Sequence, residues 1–567
     1  MAIKLFKDPA GFITTKVNEI KKHVSGKLIK EEPGEEPTPN HLPSKCKVLR
    51  RCVSKAKHAM KCTNRAIFHR QVSDDDDQAS NEAPFVLRIT PPKEIPPLSD
   101  PPAYQSDDSE DPETRIWGPV LHIPDERYIA LALKHGPICV PCEDGWFKAT
   151  EARVIGHTRG ASNRITFIEY NDPDNTRIVV RVPSCGWRRV WMPIDGEAIV
   201  NQVKVMKYLK RKTGIPIPEV ISYDTTIDDN VLGAPYIMME CMEGEAVCVA
   251  WWDEEEPIPL EQKRQNIMKS LAETMVKLRD LKFDKIGSLY FEDFDDGTIG
   301  EPWIGGQISV MPGMLERDDE YLQTRKEDLI FPEYGTSQEF MREVLDIYRS
   351  RELKYWGDPF YDGRRNIIHG LHKLYSIIID YMPFSELTAE LGAEPEHFVI
   401  APPDFDQQNI IVDKLGNITG LIDWDVVKTV PRFKGWAALP RWLQQDWYDR
   451  YQWPDWEQRR GPTMSPSELC CYRQQYTKYM REACTAVSGG QDGEEIDEWR
   501  FTSRSHLYDR VFETVGEDGM DGFLEKLLEL FVPRAWKATF ISNLGQYGFA
   551  PGQEELLRNK INEILAY

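Results

Sequence analysis

Three side chains that could bind a metal ion or accept a proton lie close together in the segment "PPDFDQQNIIVDKLGNITGLIDWD", residues 402–425. Asp404 precedes Asn409 by five residues, and Asp423 follows the second of two apolar runs. The runs "NIIVD" and "ITGLI" are typical of strands, and "KLGN" between them is typical of a turn. The resulting hairpin would bring Asn409 and Asp423 together at one rim, with Asp404 on the preceding loop.

These three residues suit phosphoryl transfer. An amide oxygen from Asn409 and a carboxylate from Asp423 are suitable ligands for Mg²⁺, which takes its remaining ligands from water and phosphate oxygens. Asp404 would orient a substrate hydroxyl and accept its proton as the phosphoryl group is transferred. The alternative is an ordinary acidic hairpin, because any one of these acids is more often a turn residue.

A glycine-rich turn earlier in the chain could bind phosphate. It contains Gly160, Ser162 and Asn163 and is followed by two strand patterns, "RITFIEY" and "RIVVRVP". Glycine lets the backbone approach a ligand closely, and free N–H groups in such a turn can surround a phosphate. Glycine-rich hairpins are common, so the turn by itself does not identify a ligand.

Arg181 lies in the middle of the otherwise apolar strand "RIVVRVP". A charge at such a position is expected to point into a cleft or toward a partner acid. The following helix begins near Asp195 and ends near Gly214, and Glu197 in its first turn could be that partner. A solvated glutamate favoured by the helix dipole is the alternative for Glu197.

The run "LGAPYIMMECMEG" predicts a buried strand that leaves this first group of strands. Met239, Glu240, Cys241 and Met242 lie at its end. Their backbone groups could bond the edge of a planar heteroaromatic ligand, and a plain core strand is the alternative. The ordered series of glycine-rich turn, basic strand residue, helical glutamate, D-x-x-x-x-N and aspartate favours a phosphotransferase site.

The composition predicts how the elements around this site are organised. The chain has 567 residues, which predicts two or three folding units. Residues 150–245 are rich in strand patterns around one helix, and residues 258–567 are mainly helical. This predicts an α+β fold with a small β-rich lobe, a larger helical lobe and a cleft between them. The net charge of −22 disfavours nucleic acid as a main partner.

The first part of the chain has a different composition. Residues 1–70 carry a net charge of +10, and residues 71–115 carry −9 with eight prolines. We expect residues 1–115 to be a largely disordered leader. Residues 1–30 show a basic amphipathic pattern that could contact a membrane surface or serve as a targeting segment, with a docking helix or a frayed terminus as the alternative.

A short motif in the leader predicts a protein partner. Pro101, Pro102 and Tyr104 fit the PPxY pattern that WW domains bind in extended form. Such four-residue patterns also arise by chance in proline-rich segments.

These motifs resemble the aminoglycoside phosphotransferase-like family, especially its fungal phosphotransferase-enzyme branch, within the protein-kinase-like superfamily. The resemblance covers residues 153–441. It rests on the motifs "RGASNRITF", "IVVRVP", "EAIVNQVKVMKYLKRKTGIPIPEVISYD", "LGAPYIMMECMEG", "IGSLYF", "PDFDQQNIIVD" and "ITGLIDWD".

The resemblance implies a bilobal protein-kinase-like fold and an enzyme that uses ATP and Mg²⁺ to phosphorylate a hydroxyl group of a small molecule. In this fold Arg181 would reach the α- and β-phosphates and Glu197 would hold it. Asp404 would be the catalytic aspartate, and Asn409 and Asp423 would bind magnesium.

The resemblance also assigns residues around these. Asp425 would lie behind the magnesium ligands or at a second metal ion. The nucleotide-binding residues would be Gly160, Ser162, Asn163, Arg181, Glu197, Met239, Glu240, Cys241 and Met242, with the last four forming a hinge against adenine.

The chain departs from the family pattern in its catalytic motif. The family usually has a histidine two residues before the catalytic aspartate, and this chain has Pro402 there. Asp406 could compete for the metal or for the role of base. The alternative function is therefore a catalytically weak or inactive kinase-like nucleotide-binding protein that acts as an interaction scaffold.

We predict three regions: the leader 1–115, a kinase-like N-terminal lobe 116–244 and a helical C-terminal lobe 245–567. The chain begins without a signal-peptide pattern, so a cytoplasmic location is expected, with a mitochondrial location as the alternative. The substrate would bind near a tryptophan-rich segment of the C-terminal lobe. Its tryptophans could hold a cationic or sugar-like molecule or pack helices together: Trp436, Trp442, Trp447, Trp453 and Trp456.

Overall fold

The computed structural model describes most of the chain from residue 116 onward, and all of these residues belong to one compact unit. The described residues are 87–88, 116–136, 140–142, 145–147, 149–254, 257–292, 298–308, 330–356, 362–383, 396–448, 451–454, 462–488, 497–517, 519–530 and 537–566. The amphipathic pattern at 1–30 and the PPxY motif at Pro101, Pro102 and Tyr104 lie outside them and stay predictions.

The N-terminal lobe is built on an antiparallel sheet. Its elements are β1 (Leu87–Arg88), α1 (Asp125–His135), β2 (Val140–Cys142), β3 (Gly145–Phe147), β4 (Glu151–Arg159), β5 (Asn163–Tyr170), β6 (Arg177–Pro183), α2 (Pro193–Thr213), β7 (Val220–Asp224) and β8 (Tyr236–Glu240). Six strands pair in the order β1-β4-β5-β6-β8-β7, and β2 and β3 form a separate hairpin. The strand–turn–strand pattern predicted after the glycine-rich turn is thus confirmed.

Alternation along β6 places its side chains on two faces of the sheet. Ile178, Val180 and Val182 are fully buried in a cluster with α1. Arg181 lies on the opposite face, in register with Ile237 of β8, and Ile237 packs in the cluster that contains α2. The sheet is therefore covered by α1 on one face and by α2 on the other, and Arg181 points to the α2 side.

Helix α2 begins with Pro193 and ends before Gly214, whose φ of +63° suits glycine. Asp195 is the third helical residue rather than the residue before the helix, and its carboxylate accepts a hydrogen bond of 2.8 Å from the Met192 amide. The predicted end of the helix is correct. Its start is capped by Asp195 from within the first turn rather than from the position before the helix.

The C-terminal lobe is mainly helical. Its helices are α3 (Val247–Ala250), α4 (Leu260–Met275), α5 (Ser337–Tyr355), α6 (Asp362–Asp380), α7 (Pro466–Val487), α8 (Trp499–Thr502), α9 (Ser505–Thr514), α10 (Met520–Glu529), α11 (Lys537–Tyr547) and α12 (Gln553–Leu565). Its strands are β9 (Glu245–Ala246), β10 (Ser288–Tyr290), β11 (Trp303–Gly305), β12 (Gln307–Ile308), β13 (Ile330–Phe331), β14 (Phe398–Ile400), β15 (Ile410–Val412), β16 (Ile418–Leu421) and β17 (Thr429–Pro431).

The predicted hairpin is present as β15 and β16, with Ile410 opposite Leu421. Strand β9, which follows the end of the N-terminal sheet, pairs with β15 and makes the sheet three-stranded. Strand β14 precedes this hairpin in the sequence and β17 follows it, and these two strands pair with each other. The loops 401–409 and 422–428 both connect these two small sheets, which is why they lie side by side.

Besides the cluster at α1, two larger apolar cores pack the described residues of the lobes. One extends from α2 through α4 to α7, and the other joins α5, α6 and α9 to α12. Trp436 and Trp442 are fully buried in the first, so these two pack the lobe as the packing alternative predicted. Trp453 is exposed, and Trp456 lies outside the described residues.

The α+β fold with a β-rich N-terminal part and a helical C-terminal part is confirmed. The lobe boundary at 244/245 stays a prediction, although β8 ends at Glu240 and β9 already pairs with a strand of the C-terminal lobe. No helix among the described residues is long and apolar enough to cross a membrane.

Candidate active site

Asp423 lies in the turn that leaves β16, directly beside Asn409. The Ile422 amide donates a hydrogen bond of 2.9 Å to the Asn409 carbonyl, which fixes the two loops against each other. Asp423 has a φ of +66°, in the left-handed region that non-glycine residues rarely occupy. Such backbone strain is found mostly at functional sites. The following residue, Trp424, is buried and anchors the turn through a hydrogen bond from its indole N–H to Leu421.

Arg181 connects the N-terminal sheet to this turn. Its guanidinium donates a hydrogen bond of 3.0 Å to Asp423 Oδ1 and a second, short one to Asp425 Oδ2. Burial lowers the pKa of Arg181, but Asp425 and Asp423 raise it more. The arginine is therefore charged, and it neutralises part of the charge of two carboxylates across the cleft.

The two aspartates retain unused ligand capacity. Burial, the largest cause, and the carboxylates of Asp425 and Asp404 together raise the pKa of Asp423 to about 6, against the lowering effect of Arg181. Asp425 Oδ1 is buried and has no hydrogen-bond partner. A buried carboxylate oxygen without a partner is costly unless a cation or a donor reaches it.

The loop 401–409, the candidate catalytic loop, holds Asp404 next to Asn409. The Asn409 side-chain amide donates to the Asp404 carbonyl at 3.0 Å and to its Oδ2 at 3.1 Å. Gln408 donates to the same Oδ2 at 2.8 Å, and Arg441 donates to Oδ1 at 3.0 Å. Asp404 is half-buried and Asn409 is buried, so Asp404 is partly open to the cleft while its orientation is fixed.

Asp406 has a structural partner. It lies before the 3₁₀ turn Gln407–Asn409 and accepts a hydrogen bond of 2.8 Å from the Gln407 amide. The pKa of Asp406 is raised to about 6. Burial is the largest cause and Asp404 adds to it, while Arg441 acts in the opposite direction. These contacts make Asp406 the cap of the turn that positions Asn409.

The glycine-rich turn lies at the edge of the same cleft. Gly160 donates to the Asn163 carbonyl at 3.0 Å, and a side chain added at Gly160 would meet no atom within 4 Å. Ser162 is buried and its carbonyl accepts from Ser184. A pocket beside the turn is lined by Asn163, Arg181, Pro183, Ile199, Gln202, Ile237 and Asp425. Of the predicted nucleotide-binding residues, Asn163 and Arg181 thus line one space.

The predicted hinge follows β8. Met239 is buried, whereas Glu240 is exposed and accepts from Lys210 at 3.2 Å and from the Glu219 amide at 3.1 Å. The Cys241 amide donates to the Arg177 carbonyl at 3.3 Å. Met242 packs on Gly420 of β16. The segment therefore joins β8 of the N-terminal sheet to the hairpin that carries Asp423.

The pairing of Glu197 with Arg181 stays a prediction. Glu197 is exposed in the first turn of α2, while Arg181 is bound to Asp423 and Asp425. The polar α2 residue that lines the Arg181 pocket, beside Ile199, is Gln202, which is 7% exposed and whose Nε2 has no hydrogen-bond partner. Its position three residues after the buried Ile199 was the sequence signal for this placement.

The oxygen donors of the Asn–Asp rim suit Mg²⁺. Within the part of the chain that the structure describes, no group of three or more His, Cys, Asp and Glu side chains is arranged to hold a metal ion. An ion here would take the Asn409 amide oxygen, the Asp423 carboxylate and the open oxygen of Asp425, with phosphate and water completing its shell. Hard oxygen donors with water and phosphate are the ligands that Mg²⁺ prefers, so the residues fit.

A cleft with an aspartate-bearing loop, an Asn–Asp rim and a basic strand residue is the arrangement that the resemblance to the aminoglycoside phosphotransferase-like family implies. Comparison with known proteins agrees: residues 153–370 match the model of the phosphotransferase enzyme family. This match confirms the resemblance inferred from the motifs.

Several known proteins are similar to the chain. A subtelomeric hrmA-associated cluster protein of Aspergillus fumigatus is 33% identical over 139 residues, 23% of this chain and 25% of that protein. Altered inheritance of mitochondria protein 9 of Candida tropicalis is 28% identical over 121 residues, 20% of this chain and 19% of that protein. The matches thus span a quarter or less of these curated relatives. A solved structure from Ralstonia eutropha, assigned as an aminoglycoside phosphotransferase, has 12% identity and a TM-score of 0.36 over 77% of this chain and 98% of that one.

Proposed function

We propose that this protein is a Mg²⁺- and ATP-dependent phosphotransferase that transfers the γ-phosphoryl group to a hydroxyl of a small molecule. The observation that carries the proposal is the meeting of Arg181, Asp423 and Asp425 across the cleft, with Asp404 and Asn409 on the adjoining loop. The family match over residues 153–370 supports phosphotransferase chemistry, and the nucleotide, the metal and the acceptor are our inference.

Each residue of the site has a role in this reaction. Asn409 and Asp423 would hold Mg²⁺, which neutralises charge on the phosphates when bound. Arg181 would exchange part of its contact with Asp425 for phosphate oxygens, because a guanidinium forms charge-assisted hydrogen bonds with both. The backbone between Met239 and Met242 would contact the adenine edge.

Asp404 would act on the acceptor. Each of its carboxylate oxygens has two lone pairs. Oδ2 already accepts from Gln408 and Asn409, whereas Oδ1 accepts from Arg441 alone among the described contacts, so Oδ1 can accept from a substrate hydroxyl as well. The proton of that hydroxyl would pass to Asp404 as the new O–P bond forms and the bond to ADP breaks. Pro402, in place of the family histidine, removes no group from this proton transfer.

The first test is thermal unfolding with Mg·ATP, Mg²⁺ alone and ATP alone. Binding to the folded state raises the unfolding midpoint by mass action. We expect a rise that needs both Mg²⁺ and ATP and that is lost in Asp423→Ala. No rise in any condition would contradict the proposal.

The second test separates binding from chemistry. Asp404→Asn should keep the Mg·ATP-dependent rise but lower ATP turnover, with water or a hydroxyl compound as acceptor, by about 10²- to 10⁴-fold. A wild-type protein that binds Mg·ATP but turns over none would instead support the nucleotide-binding scaffold.

We also infer that the mitochondrial location is better supported than the cytoplasmic one. Relatives from several yeasts, including those of Candida tropicalis and Debaryomyces hansenii, are named as mitochondrial proteins. Fractionation of cells that express the full chain, and of cells that express it without residues 1–30, tests this. Equal cytoplasmic recovery of both would contradict it.

The PPxY motif remains the basis of a proposed contact with a WW-domain protein. Capture of the full chain by an immobilised WW domain should be lost in Tyr104→Ala, and unchanged capture would rule the motif out.

A further inference from the structure

Arg441 is attached to the catalytic loop by its backbone as well as by its side chain. It opens the 3₁₀ turn Arg441–Leu443 after Pro440, and its amide donates a hydrogen bond of 2.8 Å to the Phe405 carbonyl. The next two residues, Trp442 and Leu443, are fully buried. The base of the Arg441 side chain is therefore fixed relative to the loop that carries Asp404.

The guanidinium of Arg441 has three partners. Nη1 donates to Asp404 Oδ1 at 3.0 Å, Nε donates to the Tyr448 hydroxyl at 3.1 Å, and Nη2 lies 3.6 Å from Glu513 Oε1. Glu513 lies on α9 and also pairs with Lys434 at 3.3 Å. Contacts in three directions hold the guanidinium plane in one orientation.

The Glu513 end of this network is charged. Burial raises the pKa of Glu513, but Lys434, Arg441 and Arg510 outweigh burial and lower that pKa to about 2. Tyr448 and Glu513 raise the pKa of Arg441 despite its burial. Arg441 therefore stands between two carboxylates, one on α9 and one on the catalytic loop.

Asp404 depends on this contact because Pro402 offers no side-chain donor. Gln408 and Asn409 hold only Oδ2, and among the described contacts Oδ1 is held by Arg441. We propose that Arg441 is a positioning residue of the phosphoryl transfer reaction: it holds the Asp404 carboxylate in the orientation that accepts the hydroxyl proton, and Glu513 sets the direction of its guanidinium. This proposal rests on the proposed function.

Arg473 provides a matched control. It is a buried arginine that pairs with the same segment, donating to the Leu443 carbonyl at 2.9 Å and to Asp446 at 2.7 Å. Arg473→Met therefore removes a buried ion pair from this part of the lobe while the contacts of Asp404 remain in place.

The kinetic experiment compares full-length wild type, Arg441→Met, Arg441→Lys and Arg473→Met in Mg·ATP hydrolysis. We expect Arg441→Met to lower kcat by about 10- to 100-fold, because a misplaced catalytic group loses orientation, with KM for Mg·ATP unchanged. Arg441→Lys should recover part of the loss, since it keeps the charge without the planar fork. Equal kcat values for Arg441→Met and Arg473→Met would overturn the proposal.

A second measurement does not need turnover. Unfolding midpoints of Arg441→Met, Asp404→Asn and the double variant should be non-additive, with a smaller loss in the double variant than the sum of the single losses. The pair Arg473→Met and Asp404→Asn should be additive. Additivity of the first pair would overturn the proposal on its own. A wild type that shows the Mg·ATP-dependent rise in midpoint but no turnover would overturn the proposed function. Non-additivity of Arg441→Met and Asp404→Asn would then show that their contact serves stability alone.

Discussion

Arg181 in the N-terminal sheet donates a hydrogen bond of 3.0 Å to Asp423, a residue 242 positions later on the hairpin of the C-terminal lobe. This contact, with the second one to Asp425, closes the cleft from both lobes. The same three side chains are those proposed to bind the phosphates and the metal. In the proposed function, Mg·ATP would separate these basic and acidic side chains when it binds.

Removing Arg181 should therefore destabilise the free protein and abolish nucleotide binding together. Its side chain is 11% exposed, and that of Asp425 is 9% exposed, so Arg181→Met leaves a buried carboxylate without its partner. Breaking such a pair costs about 3–5 kcal/mol. Urea unfolding measures the loss, and Arg181→Met/Asp425→Asn should recover part of it. A loss below ~1 kcal/mol would show that the pair is dispensable.

Local sequence patterns predicted the elements that carry the site. The apolar runs around the "KLGN" turn formed β15 and β16, and the charge inside "RIVVRVP" correctly marked Arg181 as a residue directed at an acid. Periodicity within a few residues decides such features, because side chains alternate along a strand and recur along a helix.

The partners of these residues were harder to predict because they come from distant parts of the chain. Glu197, in the next helix, was predicted as the partner of Arg181, whereas the described partners Asp423 and Asp425 lie 242 and 244 positions away in the chain. Arg441 was not singled out, since only the return of the chain past the catalytic loop brings it to Asp404. A sequence pattern does not specify which long-range pairs the core will bring together.

Glu197 offers a direct test of the predicted pairing. Because Glu197 is exposed and an ion pair at an exposed site contributes about 0–1 kcal/mol, we expect Glu197→Ala to change the free energy of unfolding by no more than about 1 kcal/mol. The Mg·ATP-dependent rise in midpoint should also persist. Asp425→Ala, measured in parallel, should lower the free energy of unfolding and lose the Mg·ATP-dependent rise in midpoint. A Glu197→Ala protein that no longer binds Mg·ATP would support the pairing of Glu197 with Arg181.

Asp423 should make metal binding dependent on pH. Its pKa is raised to about 6 from the ordinary 3.8, first by burial and then by Asp425 and Asp404. Below that value Asp423 is protonated, and a metal ion must displace the proton. We therefore expect the Mg·ATP-dependent rise in midpoint to shrink as the pH falls from about 7 to about 5.

The same shift affects the protein without ligand, with the opposite sign. A folded-state pKa above the unfolded one stabilises the protein at low pH, and this contribution is lost as the pH rises through about 6. Asp423→Asn should remove that loss. Asp406→Asn is the control, because the pKa of Asp406 is also raised to about 6 while its contacts are those of a turn cap. If the Mg·ATP-dependent rise in midpoint no longer varied with pH in Asp406→Asn, the pH dependence would come from Asp406 rather than from Asp423.

Gly244 connects the hinge to the hairpin, and it should tolerate no side chain. Its φ is +123°, and a Cβ at this position would collide with the Val412 carbonyl oxygen of β15. Gly244→Ala should therefore lower the free energy of unfolding by about 1–3 kcal/mol, the usual cost of a strained backbone, and weaken Mg·ATP binding by displacing β9 from β15. Gly160→Ala is the matched control, because a Cβ there meets no atom within 4 Å. It should leave stability unchanged in urea unfolding while weakening Mg·ATP binding if the turn surrounds phosphate. Equal losses of stability in Gly244→Ala and Gly160→Ala would show that the close approach of Gly244 to Val412 does not stabilise the pairing of β9 with β15.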